Sequence, residues 1–325
     1  MFKRKAALVA AGLVVLSAAG MAAARQERGA PGVSLAQSVV VAASAFEHYT
    51  HEAGAISAGF RGGEDVARAL RQGAAYKHEQ FEEGMIAYGA IAALQERDFV
   101  EGVRQAAREA GGPEALAQSL AVQPDGVLRI EGVGPAAARI QAALLRQSAP
   151  LALAGRAVKQ SAYDIQHQDW SKANVVDSAG RLARVKSISN TAFAPDDGDA
   201  SRLIQSATAR QEVRQGGGAV TPVTVRAAAL AALAVLGAAD DEAAPTLTRV
   251  LHDPKADSCM KMAKLNLYQC LAVAGPHYED VFCLGQHAMM DTAQCVSDAA
   301  GAGKATMSPA TPARSRGFNV PVASN

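Results

Sequence analysis

Four cysteines, Cys259, Cys270, Cys283 and Cys295, constrain this chain more than any other feature, because their spacing discriminates among the three ways of pairing them. Residues 257–274 are apolar at Met260, Ala263, Leu267 and Leu271, and residues 279–299 at Val281, Phe282, Met289 and Met290. Both read as helices, separated by Ala274-Gly275-Pro276. At about 1.5 Å rise per residue, Cys259 and Cys270 would stand about 16 Å apart on one helix, and Cys283 and Cys295 about 18 Å on the other. A bridge needs roughly 4.4–6.8 Å between Cα atoms, so pairing within either helix is excluded. Folding the helices back on each other brings the remaining choices to a test of register. Cys259 with Cys295 and Cys270 with Cys283 share a midpoint at Pro276-His277, whereas the crossed pairs centre on Leu271 and near Phe282, which no single antiparallel register satisfies. Nested bridges are therefore expected. One mismatch remains: the step from Cys283 to Cys295 overshoots a helix face by about 120°, so the second helix must bend or one cysteine must lie beyond its end. Zinc ligation by four thiolates is the competing chemistry, but no Cys-x-x-Cys pair is present.

The rest of the chain reads as helical too. Ala dominates, aromatic residues make up only 5%, and Val, Leu and Ile recur at three- and four-residue intervals, so the expected class is all-α: a multi-helix array ending in the stapled hairpin. With 325 residues, 49% of them apolar, the chain can bury a sizeable core. The formal charge of +1 offers no general attraction for nucleic acid.

Residues 1–24 hold Lys3, Arg4 and Lys5, an apolar stretch over residues 6–16, and Ala22-Ala23-Ala24 before polar Arg25. That is the three-part layout of a secretory signal peptide, with cleavage expected after Ala24. The apolar stretch is short of the about 20 residues a bilayer span needs, and no span is expected in the mature chain. Export to the periplasm or beyond agrees with cysteines that oxidise. An N-terminal helical region is expected over residues 25–215, a joint at Gly216-Gly217-Gly218, a C-terminal helical region over residues 219–299, and a disordered tail over residues 300–325 with Lys304, Arg314 and Arg316. Long helical patterns cover residues 34–60, 64–94 and 135–170, the last with breaks expected at Pro150 or Gly155; residues 223–239 and 240–252 follow before the hairpin. Helix pairs of this kind suggest stacking like a short solenoid, without a faithful repeat.

Several constellations could carry chemistry. His48, His51 and Glu52 share a helical face, with His78, Glu79, Glu82 and Glu83 on the next helical stretch, and such a set can hold a metal. The order His-x-x-His-Glu departs from the zinc-peptidase patterns, and neither helix supplies Glu-x-x-His. A solvated polar face accounts for the same residues, and a metal-dependent enzyme using His48, His51, Glu52, His78 and Glu82 is the alternative. Residues 130–136, Ile-Glu-Gly-Val-Gly-Pro-Ala, resemble the Gly-hydrophobic-Gly turn of helix–hairpin–helix DNA-binding modules. That resemblance implies phosphate contacts through Gly132 and Gly134 and makes DNA binding through this turn a second alternative function, but a helix start at Pro135 explains the letters as well, and no nucleic acid is expected. Tyr163, His167 and Trp170 could line a groove for a glycan or small ligand. Pro195-Asp196-Asp197-Gly198-Asp199 reads as a turn and helix cap, lacking the alternating ligands of a calcium loop. Ser258-Cys259-Met260-Lys261 matches the Ser-x-x-Lys nucleophile motif without its partner motifs.

Ala45-Phe46-Glu47, Gly84-Met85-Ile86-Ala87-Tyr88, Ala162-Tyr163-Asp164 and Asn266-Leu267-Tyr268-Gln269-Cys270 together resemble uncharacterised exported helical proteins of Gram-negative bacteria, a resemblance that brings no activity with it. The expected function is a non-catalytic binding or scaffold role in the cell envelope, with an envelope protein or glycan as partner and no cofactor.

Overall fold

The computed structural model describes residues 33–209 and 219–302; the expected leader, the triple-glycine joint and the tail beyond Ala302 lie outside the described residues. The helices are α1 Gln37–Gly54, α2 Gly63–Gly73, α3 His78–Ala93, α4 Arg97–Glu109, α5 Pro113–Val122, α6 Val133–Ile165, α7 Asp169–Lys172, α8 Ser178–Ser189, α9 Asp197–Ala207, α10 Pro222–Val235, α11 Pro254–Val273, α12 His277–Cys283 and α13 Thr292–Ala299. Two 3₁₀ turns, Pro124–Arg129 and Ala244–Arg249, and a π segment, Leu284–Asp291, complete the order. Among the described residues there is no strand, only an isolated bridge between Asn174 and Pro276. The fold is all-α, as the periodicity requires.

Helix starts follow local chemistry. Thr221 and Thr224 form a capping box ahead of Pro222, and the Asp253 side chain accepts from the Ala256 amide at 2.9 Å ahead of Pro254. The acidic run at residues 196–199 is also a cap: Asp196 and Asp199 form the capping box of α9. Some expected boundaries move. α1 stops at Gly54, residues 240–252 give only a 3₁₀ turn around Pro245, and α6 runs unbroken through Pro150.

Small residues set the packing. In α10 every residue from Val223 to Val235 except Arg226 is buried, so this helix is apolar nearly all round and lies inside, against α3 and α6. Five aromatic residues form one buried cluster: Phe46, Tyr49, Tyr76, Phe81 and Tyr88 have neighbouring ring centroids 4.4–5.3 Å apart. The Tyr49 hydroxyl donates to the carbonyls of Gly73 (3.0 Å) and Ala288 (2.7 Å), linking α1, α2 and the π segment. α6, about 50 Å long, touches α1, α3, α10, α12, the π segment and α13. The helices do not stack in chain order, as a solenoid would. α1 meets α3 and α9, α3 meets α10, and residues before and after the glycine joint share one hydrophobic core.

The C-terminal hairpin carries both nested bridges, Cys259–Cys295 and Cys270–Cys283, each with Cα atoms 5.7 Å apart. α12, the π segment and α13 form one uninterrupted rod antiparallel to α11. Its π segment removes the phase mismatch. An i→i+5 turn takes up one more residue than an α turn, about 100° of rotation. One such turn between Cys283 and Cys295 therefore cancels most of the 120° overshoot, and the helix runs on past Cys295 to Ala299. Close approach of α6 to this segment depends on glycine: a Cβ on Gly285 would lie 2.5 Å from the Lys159 nitrogen, and one on Gly155 2.9 Å from Met289 Cβ. Beyond α13, Ala300 is buried and Gly301 caps the helix, so the packed structure continues to Ala302 rather than ending at Ala299.

Candidate functional site

Where the hairpin turns, it meets the C-terminal half of α6 and encloses a groove of about 390 Å³. One wall is Ala162, Tyr163 and Gln166, from α6 and its end. The second is the end of α11, with Cys270, Val273 and Ala274, and the third is α12, with Tyr278, Glu279, Phe282 and Cys283.

Local interactions fix these walls. The Cys270–Cys283 bridge ties α11 to α12 at the groove itself. The Gly275 amide donates to Glu279 Oε2 at 2.8 Å, which holds the turn and orients the carboxylate. Residues 173–175 strap the turn from outside, with the Val175 amide donating to Gly275 O (2.9 Å) and the His277 amide to Ala173 O (3.2 Å). Behind the groove, Arg181 of α8 is buried and donates to Asp280 and to the carbonyls of Leu271 and Ala274. Burial pushes the Asp280 carboxyl up to about 6, against the pull of the Arg181 charge. Tyr163 is half exposed, and its ring meets Phe282 edge-on with centroids 6.1 Å apart.

Of the three residues expected to line a ligand groove, Tyr163 does so. His167 is exposed outside it, and Trp170 lies on α7 with its ring 6.4 Å from that of His277. Sequence reasoning missed Tyr278, Glu279 and Phe282. Phe282 follows Tyr278 by four residues and Glu279 by three, which places all three on one side of α12, but only the fold shows that this side opposes Tyr163.

Of the expected metal ligands, His51 and Glu52 pair with each other, while His48, His78 and Glu82 each have a separate partner. His48 Nδ1 lies 3.0 Å from Asp199 Oδ1, His51 Nδ1 3.2 Å from Glu52 Oε1, and His78 Nδ1 3.1 Å from Glu79 Oε2. Glu82 is buried on His252 Nδ1 (3.1 Å) and the Asp253 amide. Burial raises the carboxyls of Glu47 and Glu82 above their ordinary value, opposed by Arg202 at Glu47 and by the Asp253 amide and His252 at Glu82. Burial holds the His78 imidazole below its ordinary value. Among the described residues, no three His, Cys, Asp or Glu side chains are grouped so that they could hold a metal ion.

The Gly132-Val133-Gly134 turn is packed against α4. Gly132 has φ of 78°, and a Cβ there would fall 2.3 Å from the Phe99 nitrogen; one on Gly102 would fall 2.2 Å from the Glu131 carbonyl oxygen. The Val133 amide donates to Ile130 O at 3.3 Å. Close backbone packing thus accounts for Gly132. In the Ser-x-x-Lys stretch, Ser258 is exposed and Lys261 Nζ donates to Asp257 Oδ2 at 2.7 Å.

No protein-family model, curated protein or solved structure matches this chain.

Proposed function

We propose that this is an exported, periplasmic, non-catalytic binding or scaffold protein of the cell envelope, whose stapled hairpin holds the aromatic groove in shape for a ligand. The groove carries this reading: its walls come from three helices, two of them joined by a disulfide within it, so little ordering is left for binding to require. The leader-like residues 1–24 and two disulfides support export. No helix among the described residues is long and apolar enough to cross a membrane.

The test is site-specific cross-linking in intact cells. A photoreactive phenylalanine analogue replaces Tyr163 in the groove and, as a control, Leu153, an exposed residue elsewhere on α6. The reading expects processed protein in the periplasmic fraction and a discrete adduct from position 163 alone. Unprocessed protein with free thiols, or identical adducts from both positions, would overturn it.

A further inference from the structure

We propose that the groove takes a small organic cation, an ammonium group on an apolar body; this rests on the groove being the binding site proposed above. Tyr163, Tyr278 and Phe282 contribute aromatic surface, and Glu279 is the only charged side chain among the lining residues. Aromatic faces attract cations through their quadrupole, and the attraction grows as water is excluded. A carboxylate beside them adds charge complementarity and disfavours an anionic ligand. Glu279 Oε2 accepts from Gly275, which aims the carboxylate without neutralising it.

Phe282 already has a cation. Lys159 Nζ lies 5.2 Å from its centroid and donates to Gln286 Oε1 at 2.8 Å. The ligand cation is therefore assigned to Tyr163, Tyr278 and Glu279, with its apolar body against Val273 and the disulfide. Arg181 adds no competing charge at the groove, because its guanidinium is paired with Asp280. At about 390 Å³ the groove falls within the range of small-molecule sites, roughly 300–1,000 Å³.

Choline and its neutral isostere 3,3-dimethylbutan-1-ol have nearly the same shape and separate charge from size. Both are titrated into the oxidised protein by calorimetry, while NMR follows the ring protons of Tyr163, Tyr278 and Phe282. The proposal expects choline to shift those resonances and to bind about tenfold or more tightly than the isostere. Glu279→Gln, which keeps an oxygen to accept from Gly275, and Tyr163→Leu, at a half-exposed position, should each weaken choline binding while thermal unfolding is little changed. If the isostere binds at the same rings as tightly as choline, the cation assignment is overturned and the groove survives as a site. If neither probe moves those rings, both the cation assignment and the groove reading fail.

Discussion

Lys264 shows what a single buried charge does to this fold. It is 6% exposed, its ammonium donates to the carbonyls of Tyr76 and Ser189, and it lies 4.0 Å from the Tyr76 ring centroid. Burial lowers its pKa to about 7, with Glu79 pulling the other way. The unfolded chain, with lysine near its ordinary value of about 10.4, then binds more protons than the folded one from about pH 7 to about pH 10. Stability from this group should rise with pH across that window, by at most about 1.4 kcal/mol per unit. Lys264→Met should remove the rise, so urea unfolding of both proteins at pH 7 and pH 9 should show a smaller gain for the variant. An equal gain would show that Lys264 stays charged. None of this is legible locally: Lys264 follows Ala263 in an ordinary helical pattern, and its carbonyl partners are 188 and 75 residues away.

Among the elements, the π segment ties sequence length to geometry most directly. Its extra residue brings Cys283 and Cys295 to the same partner helix. Deleting Met290 should therefore convert the segment toward regular α-helix, leaving an eleven-residue step that keeps both cysteines on one face. Both bridges should form, as disulfide mapping by mass spectrometry would show. Deleting the half-exposed Leu265 from α11 should instead rotate Cys270 away from Cys283 by about 100° and leave free thiols. The positions of four cysteines exposed the mismatch. They did not show that a π turn would absorb it, because both ends of the rod must first be held against α11 and Gly285 must approach Gly155.

At the scale of the whole molecule, the two bridges restrict loops of different length, with separations of 36 and 13 residues. Chain-entropy reasoning gives roughly 4 kcal/mol for the outer bridge and roughly 3 kcal/mol for the inner one. Cys259→Ser with Cys295→Ser should thus lower urea-unfolding stability more than Cys270→Ser with Cys283→Ser, and the reverse order would refute this ranking. Helical class, hairpin register and disulfide pairing follow from the order of residues alone, because the helix period and the reach of a sulfur bridge are short-range constraints that spacing can express. The groove, the burial of Lys264 and the separate partners of His48, His51, His78 and Glu82 emerge only once the chain has packed. They depend on which faces of distant helices meet, and that follows from the fit of small residues such as those of α10, Gly155 and Gly285 across the whole core.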